Sequence, residues 1–187
     1  MKQKVIFLDR DGVLTKEKSY VCKREELEIL PYAKEAVRIL KALGYYVIVI
    51  TNQSAVARGI LLEEELLVMN RMLEDELAVD HVYYCPHLPP VEGEEQSPYR
   101  ILCTCRKPNT GMLEQAFHDY PLTKEGSYFV GDRGSDLLAG QGFGVSTVLV
   151  NSGYGTKSLE VDIQPDAIFE TVLEFARELE KDNKHAI

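Results

Sequence analysis

The residues of this sequence best suited to chemistry are acidic, and they stand directly behind apolar runs. Asp9 and Asp11 are separated by one residue and follow Val5-Ile6-Phe7-Leu8. Side chains alternate along an extended chain, so two carboxylates at this spacing are expected on one side, where they repel and lose hydration. A bound cation relieves both, and Gly12 lets the chain turn away at once. An Asp-x-Asp alone fits a solvated loop equally well, and a calcium loop would place its glycine later. What decides is recurrence. Acidic residues appear again in Gly131-Asp132-Arg133-Gly134-Ser135-Asp136, behind Tyr128-Phe129-Val130, while Thr51 supplies a hydroxyl and Lys107 an ammonium. Carboxylates with one hydroxyl and one lysine describe phosphoryl transfer assisted by magnesium. Asp9 is then the nucleophile that forms an aspartyl phosphate, and Asp11 the general acid and base. Lys107 and Thr51 are expected to stabilise the phosphoryl oxygens.

A second cluster is built from different ligands. Cys85-Pro86-His87 and Cys103-Thr104-Cys105 offer three thiolates and one imidazole, a closed tetrahedral set for structural Zn2+. Cys22 stands apart. In a reducing compartment such spacing favours a metal over disulfides. Arg106-Lys107-Pro108 follows the last ligand directly, so the zinc loop over 85–105 should fix where these two cations point.

Strands and helices must bring these groups together. Val5–Leu8, Tyr45–Ile50, Val82–Tyr84, Tyr128–Val130 and Val145–Val150 read as buried strands, with a short sixth at Ala167–Phe169. Pro31 opens a helix whose stripe is Ala33, Ala36, Val37, Leu40 and Leu43, stopped by Gly44. Leu62, Leu66, Met69, Leu73 and Leu77 form another stripe, and a third helix carries Met112, Leu113, Ala116 and Phe117. Leu137 and Leu138 begin a short helix that Gly140, Gly142 and Gly144 should break, and a last helix spans about 170–182, with Lys181 to Ile187 frayed. Strands alternating with helices give an α/β, doubly wound, mostly parallel sheet sandwiched by helices, with ligands at the carboxyl ends of the strands. The segments 15–28 and 88–102 have no period and read as loops.

The whole chain narrows the function class. At 187 residues it suits one domain over 1–187, and a net charge of −9 argues against a nucleic-acid groove or a basic membrane surface. Only four apolar residues follow Met1-Lys2-Gln3-Lys4, too few for a signal-peptide core, and no run approaches a membrane span. A cytoplasmic monomer with no nucleic-acid or membrane partner is expected.

With these residues in place the chain resembles the haloacid dehalogenase superfamily of phosphatases. Its four motifs match Asp9-Arg10-Asp11-Gly12, Thr51, Lys107 and Gly131-Asp132-x-x-x-Asp136, over residues 5 to 150. The resemblance implies a Rossmann-like fold and Mg2+ held by Asp9, the backbone carbonyl of Asp11, and Asp132, with Asp136 supporting the metal from behind. Neither interval where members carry a cap has room for one, so a capless member with a zinc loop is expected. Thr51 to Gly59, Tyr84 to His87 and Cys103 to Pro108 are similar to a branch that removes one phosphate from a sugar bisphosphate, in which Arg106 aids substrate recognition. Glu17, Tyr20, Asn52, Gln53, Ser54 and Arg133 complete the expected substrate-binding set. Val13 replaces a frequent threonine, and Glu17-Lys18-Ser19-Tyr20 departs from the branch's recognition loop. The alternatives are a sister branch acting on histidinol phosphate, transfer of phosphate to a sugar, and a zinc-bearing binding module without catalysis.

Overall fold

The computed structural model describes residues 2–93, 97–160 and 162–185. The chain runs β1 (Val5–Leu8), α1 (Ala33–Ala42), β2 (Tyr46–Asn52), α2 (Glu63–Leu77), β3 (His81–Cys85), α3 (Gly111–Asp119), β4 (Tyr128–Gly131), α4 (Gly134–Phe143), β5 (Ser146–Val150), β6 (Ala167–Phe169) and α5 (Val172–His185). The strands form one sheet in the order β3-β2-β1-β4-β5-β6, with every neighbouring pair parallel. The order reverses between β1 and β4. A crevice opens at that switch point, just beyond the carboxyl ends that carry Asp9 and Asp132.

Alternation within the strands divides the core into two layers. Ile6, Leu8, Val47 and Val49 face one way, packing with Ala33, Val37 and Leu40 of α1 and with Phe175 of α5. Val5, Phe7, Ile48 and Ile50 face the other, against Met112, Leu113 and Ala116 of α3 and Phe143 of α4. Each fully buried Leu, Ile or Phe contributes roughly 1.5–3 kcal/mol of transfer free energy. This two-sided burial is what makes the strands continuous apolar runs.

Several boundaries differ from the sequence reading: β2 runs on to Asn52, β3 spans His81–Cys85, and two helices continue past their expected ends. Gly140 and Gly142 do not break α4, which continues to Phe143 and ends at Gly144 with φ +89°. A Cβ on Gly140 would lie 2.7 Å from Thr147 Cγ2 and 3.0 Å from Phe129 Cβ. The glycine there serves close packing of helix on sheet, which outweighs a propensity loss of about 1 kcal/mol. α5 likewise stays helical through His185, with Lys181 Nζ 3.0 Å from Glu178 Oε2, so the fraying expected from Lys181 onward does not hold to that point. Ala186 and Ile187 lie outside the described residues, as do positions 94–96 of the zinc loop. Short 3-10 turns at Arg24–Glu26 and Gly155–Ser158 interrupt segments with no helical period. Among the described residues no separate cap follows β1 or β2. The stretch between Thr51 and Lys107 is occupied by α2, β3 and the Cys/His loop.

Candidate active site

Four charged side chains meet beneath the crevice. Lys107 is buried, and its Nζ lies 2.8 Å from Asp9 Oδ1 and 2.7 Å from Asp136 Oδ1, while donating to Ile50 O at 2.8 Å. The ammonium thus sits between two carboxylates and one carbonyl. Asp9 Oδ1 also accepts the Arg10 backbone N–H at 2.8 Å, so both contacts of this carboxylate fall on one oxygen. Asp132 is fully buried. Its Oδ2 accepts from Tyr154 N at 2.8 Å, whereas its Oδ1 has no hydrogen-bond partner.

Carboxylate oxygens of Asp9, Asp132 and Asp136 come within 4.8 Å of one another. Burial, opposed by Lys107 and reinforced by the Asp136 and Asp11 charges, pushes the Asp9 carboxyl up to about 7. Burial and then the Asp9 and Asp136 charges push Asp132 up to about 8. Three buried carboxylates this close resist joint ionisation unless a cation sits among them. The unpartnered Asp132 oxygen and the hard oxygen donor set both fit magnesium.

Close backbone approach makes room for this arrangement. A Cβ on Gly12, which has φ +83°, would fall 2.3 Å from Asp132 Oδ2. One on Gly153 would fall 2.0 Å from the same oxygen and 2.7 Å from Gly12 Cα. The loops after β1 and β5 thus close over Asp132 through glycines, and Ser152 Oγ donates to Gly12 O at 2.6 Å.

Asp11 does not share that cluster, which corrects the expectation of two carboxylates flanking one ion. β1 ends at Leu8, so strand alternation does not carry through Arg10. The Asp11 carboxylate instead meets Arg10, whose Nε lies 3.1 Å from both carboxylate oxygens and whose Nη2 lies 2.8 Å from Oδ2. Gln53 Nε2 donates to Asp11 Oδ2 at 2.8 Å and to Thr51 Oγ1 at 2.8 Å, and Thr15 Oγ1 donates to Asp11 Oδ1 at 3.0 Å. Burial raises the Asp11 carboxyl, but Arg10 and these hydrogen bonds outweigh it and hold the group below its ordinary range.

The cysteine cluster forms as its spacing implies. Cys85 Sγ lies 3.7 Å from Cys103 Sγ, 3.0 Å from Cys105 Sγ and 3.7 Å from His87 Nδ1, and His87 Nδ1 lies 3.3 Å from Cys105 Sγ. Zinc–thiolate bonds of about 2.3 Å put tetrahedral ligands roughly 3.3–3.8 Å apart, so most of these edges suit that ion. The loop is tied to the turn that leads into α3. Asn109 Nδ2 donates to Cys103 O at 2.9 Å, Gly111 N to Thr104 O at 2.9 Å, and Arg106 Nη1 to His87 O at 3.1 Å.

A cleft of about 510 Å³ opens above the carboxylates, and all the expected substrate-binding residues line it. They are not equally free. Asn52 gives both ends of its amide to the Lys107 backbone, and Gln53 is committed to Asp11 and Thr51. Ser54 and Arg106 remain at the wall. Glu17 Oε2 lies 3.4 Å from Arg133 Nη2, and the Arg133 guanidinium stacks 3.7 Å from the centre of the Tyr154 ring. Arg58 lies over Tyr20 at 5.7 Å. Tyr154 and the role of Arg10 were missed from sequence. Tyr154 was findable, because it follows β5 in the polar stretch Asn151-Ser152-Gly153, at the same sheet edge.

The chain is similar to several known proteins. The HAD-hydrolase-like family model matches residues 104–175. The D-glycero-beta-D-manno-heptose-1,7-bisphosphate 7-phosphatase of Pasteurella multocida is 40% identical over 157 residues, covering 81% of this chain and 83% of that protein. The D-glycero-alpha-D-manno-heptose-1,7-bisphosphate 7-phosphatase of Photorhabdus laumondii is 37% identical over 161 residues, covering 83% and 86%. Among solved structures, the D,D-heptose 1,7-bisphosphate phosphatase from B. bronchiseptica, complexed with magnesium and phosphate, superposes with a TM-score of 0.82 at 31% identity, covering 96% of this chain and 99% of that one.

Proposed function

The chain belongs to the heptose-1,7-bisphosphate 7-phosphatase family of haloacid dehalogenase-like hydrolases, and from that premise we propose that it removes the 7-phosphate of D-glycero-D-manno-heptose 1,7-bisphosphate. The observation that carries this reading is the pairing of a carboxylate floor with a cationic mouth. Asp9, Asp132 and Asp136 lie below, and Arg58, Arg106 and Arg133 line the cleft above. A bisphosphate offers one phosphate to each level.

Asp9 attacks the phosphorus of the primary phosphate, forming a carboxylate oxygen–phosphorus bond as the bond to O7 breaks. Asp11, ionised in the free site, takes up a proton as the substrate's negative charge arrives beside it, and gives that proton to the departing sugar alkoxide. It then takes a proton from the water that attacks the aspartyl phosphate, releasing inorganic phosphate and restoring Asp9. Lys107 and Thr51 hold phosphoryl oxygens, for which Lys107 exchanges part of its present contact with Asp9. Asp9, the Asp11 carbonyl and Asp132, with Asp136 behind them, would hold magnesium, which would supply charge neutralisation for the phosphoryl group. Cys85, His87, Cys103 and Cys105 would hold a structural zinc, which would keep Arg106 and Lys107 in place.

The site is complete within one chain, which supports a monomer acting on a small sugar phosphate. Four unpaired cysteines suit a reducing cytoplasm, and no helix among the described residues is long and apolar enough to cross a membrane. The test is a comparison of substrates. The heptose bisphosphate should exceed histidinol phosphate in kcat/KM by at least about a hundredfold, roughly 2.7 kcal/mol, because the latter brings a cation toward arginines. Arg106→Ala should erode that preference more than it slows a small generic ester. Better turnover of histidinol phosphate would overturn the substrate and leave only the phosphatase class.

A further inference from the structure

Arg10 stands between the two aspartates, and the mechanism above gives it no role. Its side chain is 1% exposed. It grips its neighbour side-on, with Nε 3.1 Å from both Asp11 oxygens and Nη2 2.8 Å from Oδ2, while its Nη1 is buried without a partner. As a stability device this is poor. A buried ion pair returns little net free energy, and an unsatisfied donor on it costs more. The loop around it is folded to keep the pair closed. Arg10 O accepts from Leu14 N and Thr15 N at 2.9 Å, and Thr15 then reaches Asp11 with its hydroxyl.

The geometry points to Arg10 as a positioning residue that aims the Asp11 carboxylate at the leaving-group oxygen, and so sets how well poor leaving groups are expelled. This rests on the reading of Asp11 as general acid and base. A carboxylate at the isolated bridge that opens the turn over 12–14, one-fifth exposed at its side chain, lies outside β1 and has no strand to fix its rotamer. Arg10, Gln53 and Thr15 supply five donor contacts to its two oxygens and leave it one orientation. Arg10 makes the largest share. It does not touch the reacting atoms; it acts through Asp11.

A leaving-group test separates this role from a merely structural one. A sugar alkoxide must be protonated as it leaves, whereas p-nitrophenolate leaves without a proton. kcat/KM for each ester reports only the steps up to release of its alcohol. Arg10→Met should lower kcat/KM for the heptose bisphosphate by about a hundredfold, the scale of general acid catalysis, and should lower that for p-nitrophenyl phosphate at least tenfold less. Arg10→Lys, which keeps the charge but loses the side-on pair, should show the same bias and carries the test if the Met variant fails to fold. Glycerol phosphate, also an alkyl ester, gives the same ratio if the heptose is not the substrate, so failure of the substrate reading stays distinct. Equal losses on both esters, beside an Asp11→Asn control that shows the bias, would overturn the proposal. An Asp11→Asn variant without the bias would overturn it together with the role of Asp11.

Discussion

Asn52 holds the backbone of Lys107 from both sides, its Oδ1 accepting from Lys107 N at 3.1 Å and its Nδ2 donating to Lys107 O at 3.1 Å. The side chain at the end of β2 thereby acts as one more strand neighbour, and it fixes the lysine beside Asp9 and Asp136. Asn52→Ala should lower kcat by about ten- to a hundredfold with little change in KM, equivalent to roughly 1.4–2.7 kcal/mol. Steady-state kinetics decide. A raised KM at unchanged kcat would mean that Asn52 binds substrate directly.

Gly153 should tolerate no side chain without loss of the metal. A methyl group there would lie 2.0 Å from Asp132 Oδ2 and 2.7 Å from Gly12 Cα, pushing apart the loops that enclose the carboxylate. Gly153→Ala should fold but need at least about tenfold more magnesium for half-maximal activity. An unchanged magnesium titration would show that Asp132 is not the constrained ligand.

The two metal sites should separate by exchange. Thiolate-bound zinc resists brief chelation, whereas magnesium on carboxylates and water exchanges freely. EDTA should abolish activity, magnesium alone should restore it, and about one zinc per chain should remain by elemental analysis. Cys103→Ser should lower thermal stability and activity together, because Cys103 O anchors Asn109 directly behind Lys107 and Pro108. A zinc-free preparation with full activity would contradict this.

Much of this was legible in sequence because it depends on strand ends. Apolar runs buried on both faces stop where polar residues begin, so Asp9, Thr51 and Asp132 could be placed on one edge without coordinates. Cys-x-His and Cys-x-Cys were equally readable, since ligand type and spacing carry the chemistry. Partnering beyond the strands was not legible. Asn52 and Gln53 line the cleft, and their amides are also engaged by Lys107 and Asp11, which no local pattern shows. Asp11 read as a companion of Asp9, yet the bend at Arg10 sends it elsewhere. Gly140 read as a helix breaker because propensity was weighed without the sheet it packs on. Each miss is a tertiary contact overriding a local rule.

Protons and magnesium should compete at the carboxylate floor. Asp9 and Asp132 carry folded-state values of about 7 and about 8, above the ordinary value of 3.8. In the metal-free protein the folded state therefore binds more protons than the unfolded chain, and stability from these groups falls as pH rises from about 4 toward 8. Magnesium relieves that loss. The rise in Tm on adding magnesium should be small near pH 5 and larger near pH 8, measured by calorimetry of metal-free and loaded samples. A constant increment across this range would argue that these two groups do not hold the metal.

The most direct test of the account is to watch which phosphate leaves. D-glycero-D-manno-heptose 1,7-bisphosphate is incubated with the magnesium-loaded protein and followed by 31P NMR. The account predicts that the 7-phosphate signal converts to inorganic phosphate while the anomeric 1-phosphate persists, and that Asp9→Asn, folded as the wild type, releases neither. Loss of the 1-phosphate, or release at a comparable rate by the Asp9→Asn variant, would contradict it.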